Sequence, residues 1–116
     1  MKKIVFLGII AALALSGCPL GSESNPKDVT VSEVKNQRNG IYVRLNGEIV
    51  DILVEKFYRF SDSTGSILVE IDNEVWARAG IKPASLTYPT RFEIVGEVDK
   101  EKGEDPMIEV ESIKKL

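Results

Sequence analysis

Ile41-Tyr42-Val43-Arg44-Leu45-Asn46-Gly47-Glu48-Ile49-Val50-Asp51-Ile52-Leu53 is the stretch on which the fold turns. Val43, Leu45, Gly47 and Ile49 fall on one side of an alternation, and Tyr42, Arg44, Asn46 and Glu48 on the other. That period of two marks a half-buried strand. It is long, since most strands run about 5–6 residues. A glycine inside a strand marks a bulge or a tight bend at a barrel corner. The stretch therefore reads as one bent strand that serves two sheets of a small closed barrel, with Gly47 at the bend.

Working outward toward the C-terminus, Glu55-Lys56 separates two apolar runs and reads as a short turn. In Phe57-Tyr58-Arg59-Phe60 an outward Arg59 sends Tyr58 and Phe60 inward. Asp62-Ser63-Thr64-Gly65 is a hairpin turn with Gly at its last position. Ile67, Val69 and Ile71 form the inner face of a third strand. Asp72 to Ala79 reads as a short helix. Asp72 can cap its first turn, Ile71 and Trp76 have the spacing of a hydrophobic staple, and Gly80 can end it in a left-handed turn. Such a short amphipathic helix needs a place to bury Trp76, and the open end of a barrel supplies one. Two prolines keep 81–89 irregular. Arg91 to Asp99 is a fourth strand, with Gly96 as a second bend, and Ile108, Val110 and Ile113 define a fifth. Five strands with a helix between the third and fourth is the order of an all-β, five-stranded OB-fold barrel.

Toward the N-terminus, Val29 to Asn39 is an extended lead-in with one helical turn at Ser32–Lys35, closed by the turn signal Asn39-Gly40. Before it, Pro19 to Asp28 is rich in Pro, Gly, Ser and Asn and reads as a tether with a reach of roughly 15–20 Å. Residues 1–17 read as a signal peptide: Lys2 and Lys3, then an apolar run from Ile4 to Leu15. That run is too short to span a bilayer, which takes about 20 residues, but it suits a signal core. Leu15-Ser16-Gly17-Cys18 resembles the bacterial lipoprotein box, with Cys18 as the lipidated first residue of the mature chain. Stable anchoring takes two signals, and bacterial lipoproteins carry two or three acyl chains on this cysteine. Pro19 stands where enteric lipoproteins retained at the inner membrane carry aspartate, which points to the outer membrane, facing the periplasm. The expected organisation is thus a signal at 1–17, a lipidated cysteine and tether at 18–28, and one domain at 29–116.

Composition narrows the function. The signal holds two of the fifteen basic residues and none of the eighteen acidic ones, so the mature chain carries a net charge of −5. Net charge of that sign does not attract phosphate backbones. Cys18 has no partner, so no disulfide is available. There is no histidine, which removes a His-based triad or general base.

The ordered set Tyr42-Val43-x-Leu45-x-Gly47-x-Ile49-Val50, Tyr58-x-Phe60-x-Asp62-x-x-Gly65, Val69-x-Ile71-Asp72 with Trp76, Gly96-Glu97-Val98-Asp99-Lys100 and Ile108-Glu109-Val110 resembles the bacterial OB-fold (BOF) family, of the YgiW/YdeI stress-tolerance type. The resemblance spans residues 29–116. It implies a secreted envelope protein linked to tolerance of oxidants, acid and cationic peptides, whose partners are small molecules, envelope proteins or a sensor kinase. Members usually carry a plain cleavable signal, unlike the lipoprotein box here. The stretches from Ala77 to Thr90 and from Glu101 to Met107 also differ from the family, so no partner surface built on those loops carries over.

Candidate sites follow. Ser61-Asp62-Ser63-Thr64 is explained by turn chemistry. Asp99, Glu101, Glu104 and Asp105 cluster around Gly103 and could offer oxygens to a hard cation, but their order does not match a calcium loop. Trp76 reads as core. Arg44, Phe57 and Arg59 share the outer face and form a candidate binding surface with a cation–π element. Single-stranded nucleic acid needs exposed aromatics in a basic groove. With Tyr58 and Phe60 inward and an acidic turn after the fourth strand, it is not the expected partner. No cofactor and no catalysis are expected. The reading is a lipid-anchored envelope binding module, held to a membrane through Cys18, which contacts a small ligand or an envelope protein. The alternative is a structural accessory subunit of a membrane-associated complex.

Overall fold

Alternating apolar residues make Tyr42–Val54 a single thirteen-residue strand, as its pattern predicts. In the computed structural model, which describes residues 25–101 and 105–116, six strands are present. They are β1 (Lys27–Asp28), β2 (Tyr42–Val54), β3 (Phe57–Asp62), β4 (Gly65–Glu70), β5 (Thr90–Asp99) and β6 (Met107–Lys115). The helices are α1 (Val31–Val34) and α2 (Asn73–Ala79), with a 3₁₀ turn at Pro83–Ser85. The signal, Cys18 and most of the expected tether lie outside the described residues.

β2 is shared between two partners. Its first part, Tyr42 to Ile49, pairs antiparallel with β5. From Glu48 onward it pairs antiparallel with β3, with register shifts between Ile49 and Asp51 and between Ile52 and Val54. β3 pairs with β4, β4 runs parallel to β6 over Leu68–Glu70, and β6 pairs with β5. The order β2-β3-β4-β6-β5 returns to β2 and closes a ring of five strands. The expected count of five is one short. Lys27–Asp28, read as the end of a flexible tether, pairs in parallel with Val43 and Arg44. Two residues carry no periodicity, and their pairing rests on a main-chain edge of β2 that composition does not reveal.

The two strand glycines sit where strands cross closely. A Cβ at Gly47 would overlap the Ser61 carbonyl oxygen and stand 2.9 Å from the Phe60 ring. At Gly96, beside the β5–β6 register shift, it would overlap the Glu109 carbonyl oxygen and stand 2.8 Å from Ile108.

Inside the ring, Val43, Leu45, Ile49, Phe60, Val69, Phe92 and Ile94 are buried. α2 closes one end with Trp76, only 2 % exposed. Its ring makes edge contacts with Tyr58 at 5.6 Å and Phe92 at 5.8 Å between centroids. Gly80 ends α2 at φ 73, as expected. The start of α2 differs from expectation. Asp72 makes no side-chain cap; its carboxylate stands 3.2 Å from Lys56 Nζ, which also meets Glu70 at 3.3 Å. An ammonium close by outcompetes the backbone amides for that carboxylate.

Candidate functional site

β6 joins β4 only from Leu68 on, opposite Met107. That leaves the Gly65–Ile67 side of β4 beside α1 and the approach to β6, where a cleft of about 490 Å³ opens. Val31, Ile67, Leu68 and Met107 give it apolar walls, Lys35 and Arg59 supply cations, and Asp99, Glu101 and Asp105 supply carboxylates.

Two clamps hold the α1 wall. The first is Asp62, at the end of β3. Its carboxylate accepts hydrogen bonds from the Val31 amide at 2.9 Å, the Thr64 amide at 2.8 Å and the Thr64 hydroxyl at 2.6 Å. The Ser32 amide donates to Thr64 Oγ1 at 3.0 Å. α1 has a single turn, too short to stand alone, so the turn of the β3–β4 hairpin supplies its N-terminal acceptors. Partial burial pushes the Asp62 pKa up, but the hydrogen bonds from Thr64, Val31 and Gly65 outweigh it and hold the carboxyl below the ordinary aspartate value. Thr30 and Glu33 complete the turn, the Thr30 amide donating to Glu33 Oε1 at 2.8 Å. The second clamp is Lys100. Its ammonium donates to the Lys35 and Gln37 carbonyls, both at 2.7 Å, and its amide donates to Asn39 Oδ1 at 2.8 Å. A cation on the last carbonyls of a helical turn is a favourable pairing. It fixes the exit of β5 against α1.

Further along β6 from Met107, the register sets Glu109 opposite both Glu70 and Glu97. Asp99, hydrogen-bonded to Glu109, raises the Glu109 pKa most; partial burial and the charges of Asp99, Glu70 and Glu97 raise it further. Like charges this close make one group hold its proton to higher pH.

The structure separates Arg44 from Phe57 and Arg59, the other two residues expected to share its binding surface. Arg44 is engaged by Asp28 at 2.8 Å and Glu93 at 3.1 Å, beside β1. Arg59 lies opposite Asp51 and Leu68, on the order of 20 Å further along β2 at strand rise. Arg59 enters the cleft and Arg44 does not. Phe57, half-buried, opens β3 opposite Val54 and Glu70, two residues before Arg59 and on the same side of the strand. Of the carboxylates grouped around Gly103, Asp99, Glu101 and Asp105 line the cleft, while Glu104 lies outside the described residues. Among the described residues no three carboxylate, thiol or imidazole groups converge to hold a metal ion. Tyr58 and Phe60 are buried, so neither ring offers a stacking face.

Sequence reasoning missed the Asp62 hub, the Lys100 clamp and the Glu109–Asp99 pair. Asp62 already had an explanation in its own turn, and its partner Val31 lies 31 residues upstream. The carboxylate pair depends on strand register, which alternation alone does not set.

The sequence matches the family described as bacterial OB fold (BOF) protein over residues 18–115. Protein YgiW of Escherichia coli K12 is 31 % identical over 136 residues, covering 100 % of this chain and 98 % of that protein. The calcium-regulated OB-fold protein CarO of Pseudomonas aeruginosa is 31 % identical over 101 residues, covering 87 % of this chain and 83 % of that one. The structure of ygiW from E. coli superposes with a TM-score of 0.66 at 33 % identity, covering 79 % of this chain and 92 % of that one.

Proposed function

The chain belongs to the bacterial OB fold (BOF) family, and from that premise we propose that it is a lipid-anchored binding module of the cell envelope. In this reading it serves stress tolerance by holding a small ligand or a protein segment in the cleft beside β4. The observation that carries the reading is the cleft itself. A lining that combines apolar side chains with two cations and three carboxylates suits a partner with an apolar body and charges of both signs. Its α1 wall is pinned by Asp62 and Lys100, so the shape is set before a ligand arrives and less ordering cost falls on binding.

A binding role also agrees with the residue inventory, which contains no histidine and one cysteine. Nucleic acid is the poorer fit, because the cleft mixes signs of charge and the ring aromatics are buried. The lipid on Cys18 belongs to this proposal. Among the described residues no helix is long and apolar enough to cross a membrane.

Arg59→Glu reverses one exposed charge at the cleft while leaving the ring core untouched. A strain lacking the gene is expected to be more sensitive to peroxide, acid or a cationic peptide. The wild-type gene restores resistance, and Arg59→Glu, present at the same level, does not. Equal survival of the deletion strain and its parent under all three stresses would overturn the stress role. Full rescue by Arg59→Glu would remove the cleft from it.

A further inference from the structure

The end of β2 is left open on one side. β5 begins opposite Ile49, at Thr90, and among the described residues no strand continues that pairing along Val50–Val54. β3 covers only the other edge of this segment. An open edge offers a row of main-chain donors and acceptors. Among the described residues, this edge also carries three of the four large apolar residues that stand exposed: Ile52 at 46 %, Leu53 at 40 % and Val54 at 61 %.

These side chains do not share one face. Ile52 lies opposite the inward Tyr58, and Val54 lies opposite Phe57 on the alternate side of β3. A flat apolar surface would cover one side and leave the other in water. A strand added edge to edge supplies neighbours on both sides at once.

We infer that the Val50–Val54 edge pairs antiparallel with the same edge of a second copy, joining two rings through a two-fold axis. Such an axis must pass between two equivalent residues. Centred on Asp51, it opposes two Asp51 carboxylates. Centred on Leu53, it sets Asp51 against Glu55. Centred on Ile52, it opposes no like charges and sets Val50 against Val54, within the segment that β5 leaves open. Like charges directly opposite destabilise a pair of strands, so the register centred on Ile52 is selected.

Sedimentation of the full-length protein in mild detergent, from about 1 to 200 µM, tests this. The wild type is expected to move from one to two protomers across that range. Ile52→Lys places an ammonium on the axis against its own copy and should raise the apparent dissociation constant at least tenfold while keeping the wild-type circular dichroism spectrum. Ile52→Cys supplies the complementary readout. Oxidised at the high end of the range, it should cross-link into a dimer far more than Arg59→Cys does. A wild type that stays monomeric at 200 µM would overturn the proposal. So would a dimer that Ile52→Lys leaves unchanged, or cross-linking no greater than in Arg59→Cys. A monomer that binds lipid vesicles through Ile52, losing that binding in Ile52→Lys, would assign the edge to a bilayer instead.

Discussion

Gly47 has no room for a methyl group, because β3 crosses directly over it. Gly47→Ala must push the Ser61 carbonyl and the Phe60 ring outward, and overpacking of this kind costs about 1–3 kcal/mol. For a domain of this size each kcal/mol lowers the melting temperature by roughly 4–8 °C, so a thermal melt reads the change directly. A variant melting with the wild type would mean that the crossing is looser than the structure shows. Two carboxylates make opposite statements about pH. The Asp62 pKa is lowered in the fold. Its contribution is therefore complete above the unfolded aspartate value of about 3.9 and is lost as pH falls through the lower folded value. Asp62→Asn should be less stable than wild type at neutral pH, and the gap should close in acid. The Glu109 pKa is raised, so its relative stabilisation is complete below the unfolded glutamate value of about 4.3 and is lost as pH rises through the folded value. Glu109→Gln should therefore melt higher than wild type at neutral pH and no higher near pH 3.5. Melting temperatures of the three proteins across pH 3 to 8 check both signs, and a parallel set of curves would reject them.

α2 carries the test at the scale of the element. Its C-terminal Gly80 stands at φ 73 with open space around it, so a side chain there is opposed by backbone conformation alone. Gly80→Ala should cost about 1 kcal/mol. At the other end, Asp72 engages Lys56 rather than the helix amides. Exposed ion pairs contribute little, so Asp72→Ala should melt close to wild type. The reverse ranking in a thermal melt would restore Asp72 as a cap. This element also shows how far a sequence can be read. Period, staple and terminal glycine are local signals, and they placed α2, its end and its buried Trp76. Whether Asp72 faces an amide or an ammonium depends on where the β2–β3 turn brings Lys56, and that is a tertiary fact. The same division runs through the ring. Strands β2 to β6 are legible because inward positions are apolar, with glycine where strands cross. β1 is not, because two polar residues joining an edge leave no pattern. The cleft is half legible: the acidic turn was visible, whereas α1 as a wall, and Asp62 and Lys100 as its clamps, required contacts across 31 and more residues.

For the whole molecule, the described chain enters the ring at a defined place. Lys27 and Asp28 pair with Val43 and Arg44, the Val29 amide donates to the Arg44 carbonyl at 3.1 Å, and Asp28 meets the Arg44 guanidinium. Only eight residues lie between Cys18 and Lys27 in sequence. An acylated Cys18 would therefore hold the ring within roughly 30 Å of the bilayer even when that segment is fully extended. Both the proposed cleft and the open β2 edge would then work at a membrane surface, where tethering raises the effective concentration of a second tethered copy. Intact mass spectrometry of the protein extracted from its native membrane should show residues 18–116 with two or three fatty acyl chains. Cys18→Ser should abolish the added mass and release the protein from the membrane fraction on washing. A native protein that begins elsewhere, or that begins at Cys18 without acyl chains, would detach the ring from the bilayer and remove the surface crowding on which this last step depends.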